Sequence, residues 1–111
     1  AHVASFQKAY RAGVKIAMGT DSATPFNYHG RNAIELELMV KAGMKPIDAL
    51  GAVTRRGAEL MGWGDKMGQV KPGFWADLIL VDGDPLEDIR VLQDTSRIKM
   101  VMKAGQVAVI R

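Results

Sequence analysis

The sequence predicts an α/β fold in two regions, and three observations carry that prediction. Apolar residues recur at helical spacing in several segments before about residue 62. Among them Val14 to Met18 forms a short run that is apolar on both faces, as a parallel strand covered on both sides would be. After Trp63-Gly64 the character changes to short β-rich runs separated by Gly, Pro and Asp, the mark of small antiparallel strands. The change divides the chain into a helix-and-parallel-strand region, 1–62, and a β-rich region, 63–111.

Each element has a local reason. Residues 4–12 place Phe6, Ala9 and Tyr10 on one side and Gln7, Lys8 and Arg11 on the other, and Gly13 stands where a helix terminus favours a left-handed residue. After the strand at 14–18 comes a polar loop from Gly19 to Arg31. Asn32 is placed to cap the next helix through the amide of Glu35, and Glu35 suits the positive end of the helix dipole. Ile34, Leu36, Leu38, Met39 and Val40 cover more than half of that helix, which predicts packing against two layers; Glu37 and Lys41 form an i,i+4 pair on the remainder. Pro46 fits the first turn of a third helix, and Thr54 is placed to cap a fourth that ends at Gly62. Pro72-Gly73 matches the centre of a type II turn, 78–81 reads as a strand, and runs at 97–103 and 106–110 joined by Ala104-Gly105 read as a hairpin.

Composition narrows the function classes. A chain of 111 residues buries about 65% of its unfolded surface, enough for one modest core. No apolar run nears the ~20 residues that span a bilayer, so no membrane partner is expected. The absence of cysteine removes disulfides and thiolate sites and is compatible with a cytoplasmic location, the address expected here. The net charge of +3 is scattered, with only Arg55 and Arg56 adjacent, which argues against nucleic acid as a partner. The sequence opens without Met on what reads as a helix already under way, so the expectation is a segment of a longer protein.

The chemistry-bearing stretch is "KIAMGTDSATPFNYHG", residues 15–30. In parallel α/β architectures ligands bind beyond the carboxyl ends of strands, and Asp21 stands one step past such an end. There a carboxylate can ligate a divalent metal through oxygen or take a proton from an activated water. An Asp after a strand also serves as a helix cap or Asx-turn former, and position alone does not choose between these roles. His29 lacks a second His or Glu at ligand spacing, and Asn27 and Asn32 read as turn and cap residues. A phosphate-binding reading of "GTDS" is disfavoured because the carboxylate repels an anion and no glycine-rich cradle surrounds it.

Four ordered stretches resemble the metal-dependent amidohydrolase superfamily, in particular its dipeptidase-like and imidazolonepropionase-like members. They are "AGVKIAMGTDS", "HGRNAIELELMVKAGMKPIDAL", "AVTRRGAELMGWGDKMGQVKPGFWADLILVDGDPLED" and "IKMVMKAGQV", and together they cover nearly the whole chain. The resemblance implies the C-terminal part of a (β/α)8 TIM-like barrel, its final strand ending at Asp21, followed by part of a small β-sandwich-like domain. It implies hydrolysis of C–N bonds in small N-acylated amino acids, dipeptides or cyclic amides. It also implies Asp21 as both zinc ligand and catalytic acid/base, and His29 as a substrate contact. The family's His-x-His pair, bridging ligand and further histidines have no counterpart in these residues, so the segment alone is expected to be inactive. The rival reading is a non-catalytic segment acting through self-association, as a homo-oligomer, or through pairing with the remainder of the barrel.

The later residues invite structural roles. Pro72-Gly73 and Asp82-Gly83-Asp84-Pro85 are turn chemistry, and Asp77 is placed to satisfy backbone donors near a strand start. Trp63, Phe74 and Trp75 suit packing between the regions, and Met39, Met44, Met61 and Met67 read as adaptable core filler.

Overall fold

A computed structural model describes residues 2–111. Helices α1 (His2–Arg11), α2 (Ile34–Lys41), α3 (Pro46–Val53) and α4 (Arg55–Leu60) precede strands β1 (Leu78–Val81), β2 (Ile98–Lys103) and β3 (Gln106–Ile110). Two short 3-10 turns, Ile89–Gln93 and Thr95–Arg97, lie between β1 and β2.

The helices meet through their apolar faces. Leu36 and Met39 of α2, Ala49 and Ala52 of α3, and Met44 between them are buried, with Phe6 and Tyr10 of α1 packed against them. Polar contacts fix the angles. Gln7 donates to the carbonyl of Ala42 at 2.8 Å, closing α1 on the end of α2. The Tyr10 hydroxyl donates to Asp48 at 2.5 Å and accepts from the Lys45 amide, at the start of α3. Pro46 occupies the first turn of α3 as its sequence position predicts. Ile89 enters the same core from the β-rich region, and Gln93 beside it donates to Glu37 at 2.7 Å.

The sheet has the order β1-β2-β3 and is antiparallel throughout. Ala104 and Gly105 both have positive φ, 50° and 79°, the pairing that a two-residue type I′ hairpin demands. Asp77 accepts from the Ala104 amide at 2.8 Å, as its place near a strand start predicts. At the other turn Gly73 has φ 86° and the Phe74 amide reaches the Lys71 carbonyl at 3.1 Å, the closure of a type II turn around Pro72-Gly73. Trp63 and Trp75 meet with ring centroids 5.4 Å apart.

Several expectations are corrected. Residues 14–18 form no strand: the Val14 amide bonds the Ala9 carbonyl at 3.1 Å and the Met18 amide the Ala52 carbonyl at 3.0 Å. The apolar pattern is present, yet a ladder requires a neighbour, and the three strands of the chain pair with one another instead. Asn32 does not cap α2; its side-chain oxygen accepts from Ser22 at 3.0 Å. Thr54 does not cap α4; its hydroxyl donates back to Leu50 at 2.7 Å, at the end of α3. One face of α2 is uncovered, with Ile34 and Leu38 exposed, and Met61 lies on the surface at 66% exposure rather than in the core.

The core is thin for the chain's mass. The surface is 7924 Å² where a compact monomer of this size would expose about 6000 Å², an excess of about 1900 Å². Phe26, Leu60 and Val70 are among its most exposed apolar side chains.

Candidate functional site

The loop between Gly19 and Arg31 is organised around the backbone of Asp21. Asp21 adopts φ 50°, and Ala23 and Phe26 in the same loop also have positive φ, 78° and 62°. Asp tolerates this left-handed region, but Ala23 and Phe26 are strained there, so local contacts must hold the loop. The Asn27 side-chain amide donates to the carbonyl of Thr20 and, at 3.1 Å, to the carbonyl of Asp21. The Thr24 hydroxyl donates to the same Asp21 carbonyl at 3.1 Å. Backbone bonds from Ala23 to Asn27 at 2.8 Å and from Asn27 to Thr24 at 3.0 Å close the ring. Thr20 and Ser22 share a hydroxyl contact at 2.8 Å, and Ser22 passes it on to Asn32.

The loop thus grips Asp21 by its main chain and leaves its side chain exposed. His29 is also exposed; it lines a shallow depression of 520 Å³ with Thr24, Phe26, Asn27 and Tyr28, and Asp21 is not part of that lining. The two candidate residues share a loop but not a cavity. Arg31 lies over the ring of Tyr28 at 5.5 Å. A second cavity of 520 Å³, between Tyr10, Ile16, Asp48 and Arg55, contains neither candidate.

Among the described residues no three His, Asp or Glu side chains come together to hold a metal ion. Zinc takes three or four protein ligands, so the residues of this chain do not by themselves fit a zinc site. Asp21 can contribute one carboxylate ligand. Sequence reasoning located Asp21 and the loop but gave Asn27 only a turn role; its double donation to the carbonyls flanking Asp21 is set by the loop's fold, and an Asn six residues after the Asp is the one signal of it in the sequence.

Comparison with known proteins assigns the ancestry of this loop. Residues 1–108 match the Amidohydrolase family across almost the full chain. The chain belongs to the amidohydrolase family. This amidohydrolase chain is 37% identical over 107 residues to ochratoxinase of Aspergillus niger, covering 95% of itself and 22% of that protein. It is 33% identical over 95 residues to imidazolonepropionase of Thermoplasma volcanium, covering 85% of itself and 23% of that protein. Among solved structures, a Xaa-Pro dipeptidase with methionine bound in its active site superposes with a TM-score of 0.87 at 41% identity, over 95% of this chain and 25% of that one. The amidohydrolase chain therefore spans about a quarter of the length of the proteins it matches.

Proposed function

We propose that this chain is the closing part of a metal-dependent amidohydrolase barrel and that Asp21 carries the proton in its reaction. The single observation behind this reading is the presentation of Asp21: its backbone is held by Asn27 and Thr24 just beyond the apolar segment 14–18, while the residue stays exposed. In the proposal, Val14 to Met18 is the last strand of a (β/α)8 barrel and pairs with strands contributed from outside these residues, which places Asp21 at the carboxyl-end face where barrel chemistry occurs. The β-rich residues 63–111 belong to a small β-sandwich-like domain.

The reaction is hydrolysis of a C–N bond in a small N-acylated amino acid, a dipeptide or a cyclic amide, a class supported by likeness to proteins named as an imidazolonepropionase and a Xaa-Pro dipeptidase. Water attacks the carbonyl carbon and the Asp21 carboxylate takes its proton. As the C–N bond breaks, the protonated Asp21 delivers that proton to the departing nitrogen, which leaves as an amine and returns Asp21 to its charged form. Asp21 also gives one oxygen to a divalent metal, zinc by the family resemblance, whose other ligands lie elsewhere in the protein. His29 contacts the substrate from the loop rim. Nucleic acid and membrane are not partners in this reading, and the setting is the cytoplasm. The test is a panel of N-acyl amino acids, dipeptides and cyclic amides offered to the metal-loaded full-length protein and to residues 1–111 alone. The full-length protein releases amine from at least one class and the segment from none; a full-length protein inert to all of them overturns the reading.

A second reading is favoured by the uncovered surface. An excess of about 1900 Å² on one chain is more than the ~800 Å² that each partner gives to a standard interface and falls in the range of large obligate ones, and residues 14–18 carry unused ladder groups. On its own the chain would then associate, either with the remainder of its barrel or with a second copy.

A further inference from the structure

We propose that Asn27 is the positioning residue for Asp21, an assignment that rests on the catalytic reading of Asp21 above. A catalytic carboxylate must be held within a fraction of an ångström of its productive position, and among the described residues no hydrogen bond to the Asp21 side chain does so. The constraint has to come through its backbone. Asp21 occupies a left-handed conformation at φ 50°, a region that Asp tolerates but does not prefer, so a contact is needed to hold it there. The Asn27 amide supplies that hold. Its two hydrogens serve two successive carbonyls, those of Thr20 and Asp21, so one side chain fixes the peptide on each side of the Asp21 Cα. Those two peptide planes determine φ and ψ at Asp21 and with them the direction of its Cβ.

Asn27 is itself anchored, which makes it a fixed post rather than a mobile one. Its amide donates to Thr24 and its carbonyl accepts from Ala23, and it is partly buried where its loop neighbours Phe26 and Tyr28 are exposed. Thr24 gives the Asp21 carbonyl a second donor from the same ring. The donor nitrogen of the Asn27 side chain is turned onto the backbone at Asp21, the contact through which it acts.

The experiment is steady-state kinetics on the metal-loaded full-length enzyme with Asn27→Asp, which keeps the shape but sets carboxylate oxygens against two carbonyls, and with Asn27→Ala. Each lowers kcat by about 10- to 100-fold, the loss that a displacement near an ångström produces, and KM stays within about threefold of the wild type. Bound metal per subunit is measured alongside, and it falls in the same variants because the Asp21 oxygen is misdirected. In an Asp21→Asn background, Asn27→Ala adds no further loss, since its effect passes through the missing carboxylate. A kcat within about twofold of wild type for Asn27→Asp overturns the assignment while leaving the Asp21 reading intact, provided Asp21→Asn is inactive. A raised KM at unchanged kcat also overturns it and makes Asn27 a substrate contact. Full turnover by Asp21→Asn instead removes the reading beneath it. Should both Asn27 variants fail to fold, Thr24→Val removes only the second donor to Asp21: a kcat lowered by about threefold or more at constant KM supports the assignment, and an unchanged kcat counts against it.

Discussion

Glu37 shows what a single side chain contributes. The amide of Gln93 and then the ammonium of Lys41, at 2.9 Å, hold its carboxyl below the ordinary glutamate range. A carboxyl depressed in the folded state adds stability that is complete above its unfolded value and is lost as the pH falls through the folded one. The loss therefore sets in below about pH 4.5, the ordinary glutamate value. Glu37→Gln is expected to shrink the difference in melting temperature between about pH 7 and about pH 3, measured by calorimetry on the full-length protein. At this scale the sequence was legible where chemistry is local. The Glu37–Lys41 pair follows from i,i+4 spacing alone, and Asp77 finds its backbone donor where its position suggests. Asn32 and Thr54 were misread because a hydroxyl or amide beside a helix start has several backbone and side-chain partners within reach. Thr54 finds the Leu50 carbonyl behind it, which also takes the Thr54 amide, and Asn32 finds Ser22, brought near by the folded loop. Asn27 was legible as a turn residue, but its grip on Asp21 needs the left-handed turns at Asp21, Ala23 and Phe26 in place.

Turns are the elements that the sequence specified best, and they differ in how much they tolerate. Gly73 has φ 86° with open space where a Cβ would stand, so Gly73→Ala meets only conformational strain, about 1 kcal/mol. Gly68 combines φ 95° with a close approach: an added Cβ would lie 2.8 Å from both the Ala58 Cβ and the Thr54 carbonyl oxygen. Gly68→Ala must displace α4 from the segment that crosses it and is expected to cost about 3 kcal/mol, adding overpacking to strain. Denaturant titrations of the two variants should rank them in that order, and equal losses would mean that α4 moves freely. Helices and hairpin were readable because their hydrogen bonds close within a few residues of sequence. The run at 14–18 was readable only as a pattern. Its apolar residues on both faces state that it is to be covered, but a parallel ladder is a property of two strands, and this chain supplies one.

On the scale of the whole molecule, burial and relationship agree. Among the described residues seven hydrophobic side chains are buried, a core too small to cover Leu38, Leu60 and Ile110, and the chain spans about a quarter of the proteins it matches. Among the described residues no three His, Asp or Glu side chains come together to hold a metal ion, with Asp21 or without it. Isolated residues 1–111 are therefore expected to associate at micromolar concentration, seen by sedimentation as species well above the 12.1 kDa of one chain; a stable monomer would mean that the open surface tolerates water. Leu38→Ser should shift that distribution toward monomer, because Leu38 is 51% exposed on the bare face of α2. Family and fold class were visible from ordered motifs that run the length of the chain, whereas the extent of uncovered surface emerged only from packing. The most direct test of the account is the turnover of Asp21→Asn in the metal-loaded full-length enzyme, with circular dichroism to verify its fold. The account predicts a folded protein whose kcat falls by about 1000-fold or more, since the amide can neither accept the water's proton nor return it to the leaving nitrogen. A folded variant that turns over at near wild-type rate would contradict it.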